Sequence, residues 1–156
     1  MTEPEALAVL QKGDPVDAGR AATVLWQLWH RSGDTAVDAQ LRQGIEAMER
    51  QELREADEIF GRIIRAAPGF AEGWNKRATA RYLVQDYEGS IADCRETLAR
   101  NPAHFGALSG QGLCHLALGQ YREAAALFRR ALAVHPHLTA ARANLRTAVN
   151  ELVKWN

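Results

Sequence analysis

Residues 102–136 read PAHFGALSGQGLCHLALGQYREAAALFRRALAVHP, and this stretch decides the fold. It opens and closes on proline, Pro102 and Pro136, 34 residues apart. Two helix-length segments lie between them, with a break at Gly119-Gln120-Tyr121 where glycine can end a helix in the left-handed conformation. The same interval leads back from Pro102 to Pro68. Each proline follows a helix-forming run, Arg65-Ala66-Ala67, Ala99-Arg100-Asn101 or Ala133-Val134-His135. Proline disfavours the α conformation in the residue before it, so all three mark helix ends. Other positions recur in the same phase: Ala56, Ser90 and Ala124; Phe60, Cys94 and Phe128; Gly44, Ala78 and Gly112. Small residues suit places where two helices cross closely, and aromatics suit the gap between neighbouring hairpins. A period of this length, held over three units, predicts an all-α array of stacked helical hairpins.

Working outward, the phase reaches back to Ala22 and Trp26, so residues 14–32 read as the second helix of a degenerate preceding repeat. Asp14 is a good N-cap, Pro15 suits the first helical position, and Gly33-Asp34 closes the segment. Its crowded run Val24-Leu25-Trp26-Gln27-Leu28-Trp29 places both tryptophans on one face, expected to pack on the first repeat. The alternative is an exposed Trp that meets a second copy or a partner. A short helix, about 3–12, precedes it. At the other end residues 138–154 form an amphipathic helix whose apolar face is Leu138, Ala141, Leu145, Ala148, Leu152 and Trp155. The predicted helices are 3–12, 15–32, 37–50, 53–66, 71–84, 87–100, 105–118, 121–134 and 138–154. They form one domain: N-terminal helices over 1–36, repeats over 37–70, 71–104 and 105–138, and a capping helix over 139–156.

The chain carries 19 basic and 19 acidic residues, a formal charge of zero. A nucleic-acid binder usually shows a basic excess, and a membrane-surface binder a polybasic segment. No stretch approaches the 18 or so apolar residues of a membrane span. The start, Met1-Thr2-Glu3-Pro4-Glu5, lacks the basic and apolar regions of a signal peptide. The chain therefore reads as soluble, cytoplasmic if Met1 is the natural start, and periplasmic or organellar if a leader has been removed. Cys94 and Cys114 are too few for a disulfide framework and are expected to be reduced and buried.

The recurring residues resemble the tetratricopeptide-repeat (TPR) family, whose pattern runs W-x2-L-G-x2-Y, then A-x3-F, then P. The third unit matches at Leu108, Gly112, Gly119, Tyr121, Ala124, Phe128, Ala131 and Pro136. The second has Trp74, Tyr87, Ile91 and Pro102, with Ser90 and Cys94 where Ala and Phe are usual. The first has Gly44, Ala56, Phe60 and Pro68, with Gln40 at the Trp position. The resemblance covers residues 37–136. It implies a right-handed α-solenoid of about three full repeats, with a concave face lined by the first helix of each pair. The inward positions carried over are Asp38, Leu41, Ile45 and Met48; Glu72, Asn75, Thr79 and Tyr82, with Lys76 as the nearest basic group; and Gly106, Ser109, Leu113 and Leu116. An apolar track with a few polar anchors suits an extended peptide or an amphipathic helix. Family members that grip a C-terminal Glu-Glu-Val-Asp use a carboxylate clamp of Lys, Asn and Arg. At those places this chain has Leu41 and Ile45, Lys76, then Gly106 and Gly110. One repeat earlier it has Leu7 and Gln11, Arg42, then Glu72 and Lys76. Only Lys76 is compatible.

The remaining constellations are weak. His135-Pro136-His137 falls in a turn and reads as exposed loop histidines. Cys94, Cys114 and His115 fall short of the four protein ligands of a structural zinc site. No G-x-S-x-G, H-E-x-x-H or P-loop is present, so neither catalysis, metal nor cofactor is expected. Gly106 and Gly110 each cost about 0.5–1 kcal/mol in a helix interior. They read either as a shallow floor for a ligand backbone or as sites of tight packing. The expected function is a binding scaffold for a protein or peptide. The alternative is a structural oligomerisation module acting through the Trp-containing helix or the ends of the array, which allows a homo-oligomer.

Overall fold

In the computed structural model, residues 1–155 are described, and they form nine helices with no strand. These are α1 (Glu3–Lys12), α2 (Pro15–Trp29), α3 (Thr35–Glu49), α4 (Leu53–Ala66), α5 (Ala71–Leu83), α6 (Tyr87–Arg100), α7 (Phe105–Ala117), α8 (Tyr121–Val134) and α9 (Thr139–Trp155). The starts of α4, α6 and α8 are 34 residues apart, and so are those of α5, α7 and α9. Helices α4, α6 and α8 each stop two residues short of Pro68, Pro102 and Pro136, as the restriction before proline requires. The turn inside each hairpin uses a left-handed residue at one phase: Gln51 at φ 61°, Gln85 at φ 65° and Gly119 at φ 73°. Only the third is glycine; a non-glycine residue there costs on the order of 1 kcal/mol.

The chain divides into two compact bodies, one continuous, His30–Pro102, and one discontinuous, Met1–Trp29 with the segment from Ala103 onward. The continuous body holds repeats one and two, α3 to α6. Its core gathers Val37, Leu41, Ala47, Ala56, Ile59, Phe60, Ile63 and Ala80. Phe60 is wholly buried, and a Cβ at Gly44 would strike its ring, which is why that phase demands a small residue. Ser90, at the phase of Ala56, is buried but donates Oγ–H to the Ala78 carbonyl at 2.7 Å, so the polar group costs little. A buried carboxylate ties α6 to α5: Asp93 accepts from Arg77 Nε and Nη2, both at 2.9 Å, and pairs with Arg81 Nη1 at 3.1 Å. Arg81 also donates to Asp57 at 3.1 Å. Donating to the Asp93 carboxylate holds the Arg77 guanidinium pKa above its ordinary value.

In the discontinuous body, α1 and α2 form a hairpin that packs against the start of α7, the end of α8 and the turn after it. Its core is Ala6, Leu10, Ala18, Ala21, Leu25, Trp29 and Phe105. This corrects the expectation that the Trp-bearing helix packs on repeat one: its buried face is filled by α1 and by Phe105, at the start of repeat three. The helix ends at Trp29, three residues earlier than predicted, because Ser32 and Asp34 are drawn into capping α3. Asp34 accepts from Ala36 N–H, and Ser32 donates to Asp38 Oδ1 at 2.6 Å. That hydrogen bond lowers the Asp38 pKa. Phe128 is wholly buried, and a Cβ at Gly112 would come within 2.7 Å of its ring.

The loop histidines are also corrected. His135 is buried with its ring 5.1 Å from that of Phe105, and burial pushes its pKa down. His137 is half-buried, 3.2 Å from the Gly13 carbonyl. Helix α9 buries Ala141 and Ala148, while Trp155 is 79% exposed and lies outside the apolar face assigned to it. Arg142 and Arg146, both exposed, stand where the earlier units carry Leu108 and Gly112, so charge keeps that side of α9 in water.

Cys94 is 2% exposed and Cys114 not at all. Thiol titration of native protein is expected to label neither quickly, and titration in denaturant to label both. Rapid native labelling contradicts the burial, and no labelling in denaturant indicates a disulfide.

Candidate functional site

In the continuous body the first helices are α3 and α5. Leu41 has 2% exposure and belongs to the core, so it offers a ligand no surface, contrary to its expected place in the groove. Ile45 and Met48 pack against that core by one side and remain half-buried. On α5, Thr79 is exposed and Tyr82 half-buried, the Tyr82 ring 5.6 Å from that of Tyr87. The N-terminal part of α5 carries the strongest electrostatic feature. Glu72 is 1% exposed, and a buried carboxylate is tolerable only when paired and hydrogen-bonded. Its Oε1 accepts from Asn75 Nδ2 at 2.9 Å and lies 3.6 Å from Lys76 Nζ and 3.7 Å from His30 Nε2. Glu72 therefore lies beneath the surface expected of it, as the hub that fixes Asn75 and Lys76. Asn75 is 7% exposed, with its amide committed to that hub, and is not a solvated surface group. Asp38 is likewise engaged by Ser32. His30 escaped the sequence reading because it sits between helices, where no repeat phase points to it.

In the discontinuous body the corresponding helix is α7, which contains no Asp, Glu, Lys or Arg. Gly106, Ser109, Leu113 and Leu116 are all half-buried. A Cβ at Gly106 would lie 3.1 Å from His104 Cε1 and 3.2 Å from Trp26 Cη2. Glycine there makes room for an indole of the same chain, which favours the tight-packing reading. Trp26 meets the rings of Trp29, His104 and Phe105 edge-on, at 6.3, 5.7 and 5.9 Å. Trp29 stacks on His104 at 4.7 Å. His104, wholly buried, caps α7 by accepting the Ala107 N–H at its Nδ1. Sequence reading missed that cap because histidine is an uncommon one.

Exposed charge is found on first and second helices alike: α3 exposes Arg42, Glu46 and Glu49. Exposed positions on α4 include Arg54, Glu55, Glu58, Arg62 and Arg65, and those on α8 include Arg122, Glu123, Arg129 and Arg130. The half-buried positions Ile45, Met48, Tyr82, Leu113 and Leu116 on the first helices are uncharged. An open cleft of about 340 Å³ in the continuous body is lined by Leu53, Arg54, Asp57, Ala80, Arg81, Val84 and Asp86, none of them a groove candidate. Among the described residues no three His, Cys, Asp or Glu side chains gather to hold a metal ion, and no helix is long and apolar enough to cross a membrane.

Comparison with known proteins places this geometry. A family profile described as tetratricopeptide repeat matches residues 41–105, 84–137 and 110–149. A TPR repeat-containing protein of Rhizobium etli is 32% identical over 97 residues, which are 62% of this chain and 48% of the relative. The chain thus spans about half the length of that curated relative. Among solved structures, the Sgt2 TPR domain from Aspergillus fumigatus superposes with a TM-score of 0.76 at 20% identity, over 79% of this chain and 83% of the other. The first TPR domain of Spaghetti (RPAP3), bound to the HSP90 peptide SRMEEVD, superposes with a TM-score of 0.74 at 22% identity, over 75% and 93%. These likenesses show the fold, an all-α solenoid of TPR hairpins.

Proposed function

The chain belongs to the tetratricopeptide repeat family, and from that membership we propose that it is a non-catalytic scaffold that binds a protein or peptide along its first helices. The observation that supports this reading is a set of half-buried apolar side chains at the inward repeat positions, Ile45 and Met48 on α3, Tyr82 on α5, and Leu113 and Leu116 on α7, which carries no Asp, Glu, Lys or Arg. In the continuous body Ile45, Met48 and Tyr82 would take apolar side chains of the ligand. Thr79 and Lys76 would take its polar groups, and Glu72 keeps Asn75 and Lys76 in place. Ser109, Leu113 and Leu116 are the corresponding candidates on α7. The 34-residue phase continues through both bodies, so we treat the chain as one TPR domain.

A related solved domain holds an HSP90 peptide. For this chain the basic residues of that kind of clamp are missing, and Lys76 already faces Glu72 at 3.6 Å. A peptide ending Met-Glu-Glu-Val-Asp is therefore expected to bind no tighter than on the order of 1 mM by calorimetry. Micromolar binding would overturn that assignment of partner class. The face itself is tested with a partner recovered by pull-down, whose affinity is measured for Tyr82→Ala, Asn75→Ala and the control Arg62→Ala on α4. Tyr82→Ala and Asn75→Ala are expected to weaken binding by about 1–3 kcal/mol each, with the control unchanged. Loss confined to the control places the interface elsewhere.

A further inference from the structure

We infer that the α1–α2 hairpin is an intramolecular occupant of repeat three, docked as a unit over the first turn of α7 and able to leave it without unfolding α7 and α8. This deepens the proposed function, since it rests on α7 being part of the ligand face. It names what regulates access there: the segment of this chain that carries Trp26 and Trp29.

Three observations carry it. First, most of the hairpin's buried cluster is its own: Ala6, Leu10, Ala18, Ala21, Leu25 and Trp29 belong to it, with Phe105 of α7 as the member from outside. Its helix starts are satisfied within it. Thr2 and Glu5 form a reciprocal capping box on α1, and Asp14 accepts from Val16 and Asp17 N–H at the start of α2, both at 2.9 Å. Trp29 donates its indole N–H to Glu3, again inside the hairpin. Second, its attachment to the rest of the body is confined to the start of α7, the end of α8 and the turn after it, where Val134 and Leu138 pack against its cluster. Trp26 and Trp29 meet His104 and Phe105, Gln11 donates to the Ala133 carbonyl at 3.2 Å, and His137 reaches the Gly13 carbonyl. Third, the place it covers is fitted to it. Glycine at 106 leaves room for the indole where any larger residue would press on Trp26, and α7 contains no Asp, Glu, Lys or Arg. With the hairpin away, Phe105 and the turn around Gly106 would be left for an apolar or aromatic side chain of a partner.

Native-state hydrogen exchange on the whole chain tests this without any ligand, and so separates its failure from failure of the binding-face proposal, which is read at Tyr82 and Asn75. Two variants loosen the dock from opposite sides: Trp26→Ala from the hairpin, and Gly106→Leu from α7. The amides of α1 and α2 are expected to exchange together, faster than those of α8 in the unaltered chain. Both variants should accelerate them at least tenfold, a shift of about 1.4 kcal/mol, with α8 and α3 to α6 unchanged and Trp26→Phe close to the unaltered chain. If α1, α2, α7 and α8 share one exchange rate and rise together in the variants, the hairpin is a fixed part of repeat three and the inference fails.

Discussion

Phe128→Ala is expected to destabilise the chain by about 3–5 kcal/mol, the range for truncating a large core side chain. Phe128 has no exposure and fills the space against Gly112, so the substitution leaves a void that rigid helices cannot close. The same contact makes a reciprocal prediction. Gly112→Ala adds a methyl 2.7 Å from the Phe128 ring and should cost about 1–3 kcal/mol despite the better helix propensity of alanine. Combined with Phe128→Leu, which vacates part of that space, its cost should shrink. Urea unfolding of the two single variants and the double gives the coupling. A loss below about 1 kcal/mol for Phe128→Ala, or strict additivity of the pair, would show that the ring and the glycine do not share one packed space.

Asp93→Ala is the second large effect, at about 3 kcal/mol, because it strips two arginines of a shared buried partner. The value is set at the lower end of the range for broken buried pairs because Arg77 and Arg81 keep 18% and 27% side-chain exposure and can recover some hydration. Exchanging the whole network for apolar residues, Arg77→Met with Arg81→Leu and Asp93→Leu, should restore most of the loss, since Asp57, at 40% exposure, is left in water. Urea midpoints of the single and triple variants decide between this account and one in which Asp93 acts through packing alone. In the latter case Asp93→Leu alone would recover the loss as well as the triple variant does.

The repeat phase made most of this fold legible. Proline, the small residue and the phenylalanine each answer to one local constraint, and a constraint repeated three times fixes helix ends to within a few residues. The hairpin turns were read only at Gly119, because Gln51 and Gln85 adopt the same left-handed conformation without the residue that signals it. The partner of α2 was misread for another reason. Helical periodicity tells which face of Trp26 and Trp29 is buried, but not which distant segment buries it, and Phe105 carries no mark of that pairing. At the candidate site, inward positions inherited from the repeat pattern say nothing about depth. Leu41 and Glu72 are sunk, Thr79 is exposed, and the difference lies in neighbours such as His30 that have no place in the period.

The return of the chain to its own beginning sets a schedule for synthesis. Residues of α1 and α2 are synthesised well before the ring that completes their core, for Phe105 lies 76 positions after Trp29. During that interval repeats one and two can fold on contacts between sequence neighbours, as solenoid units do. The two tryptophans meanwhile wait with their docking face unmet, the kind of transient apolar exposure that chaperones bind. Closing so long a loop raises the contact order above that of a plain repeat array, so docking of this earlier segment is expected to be slower than folding of the repeats.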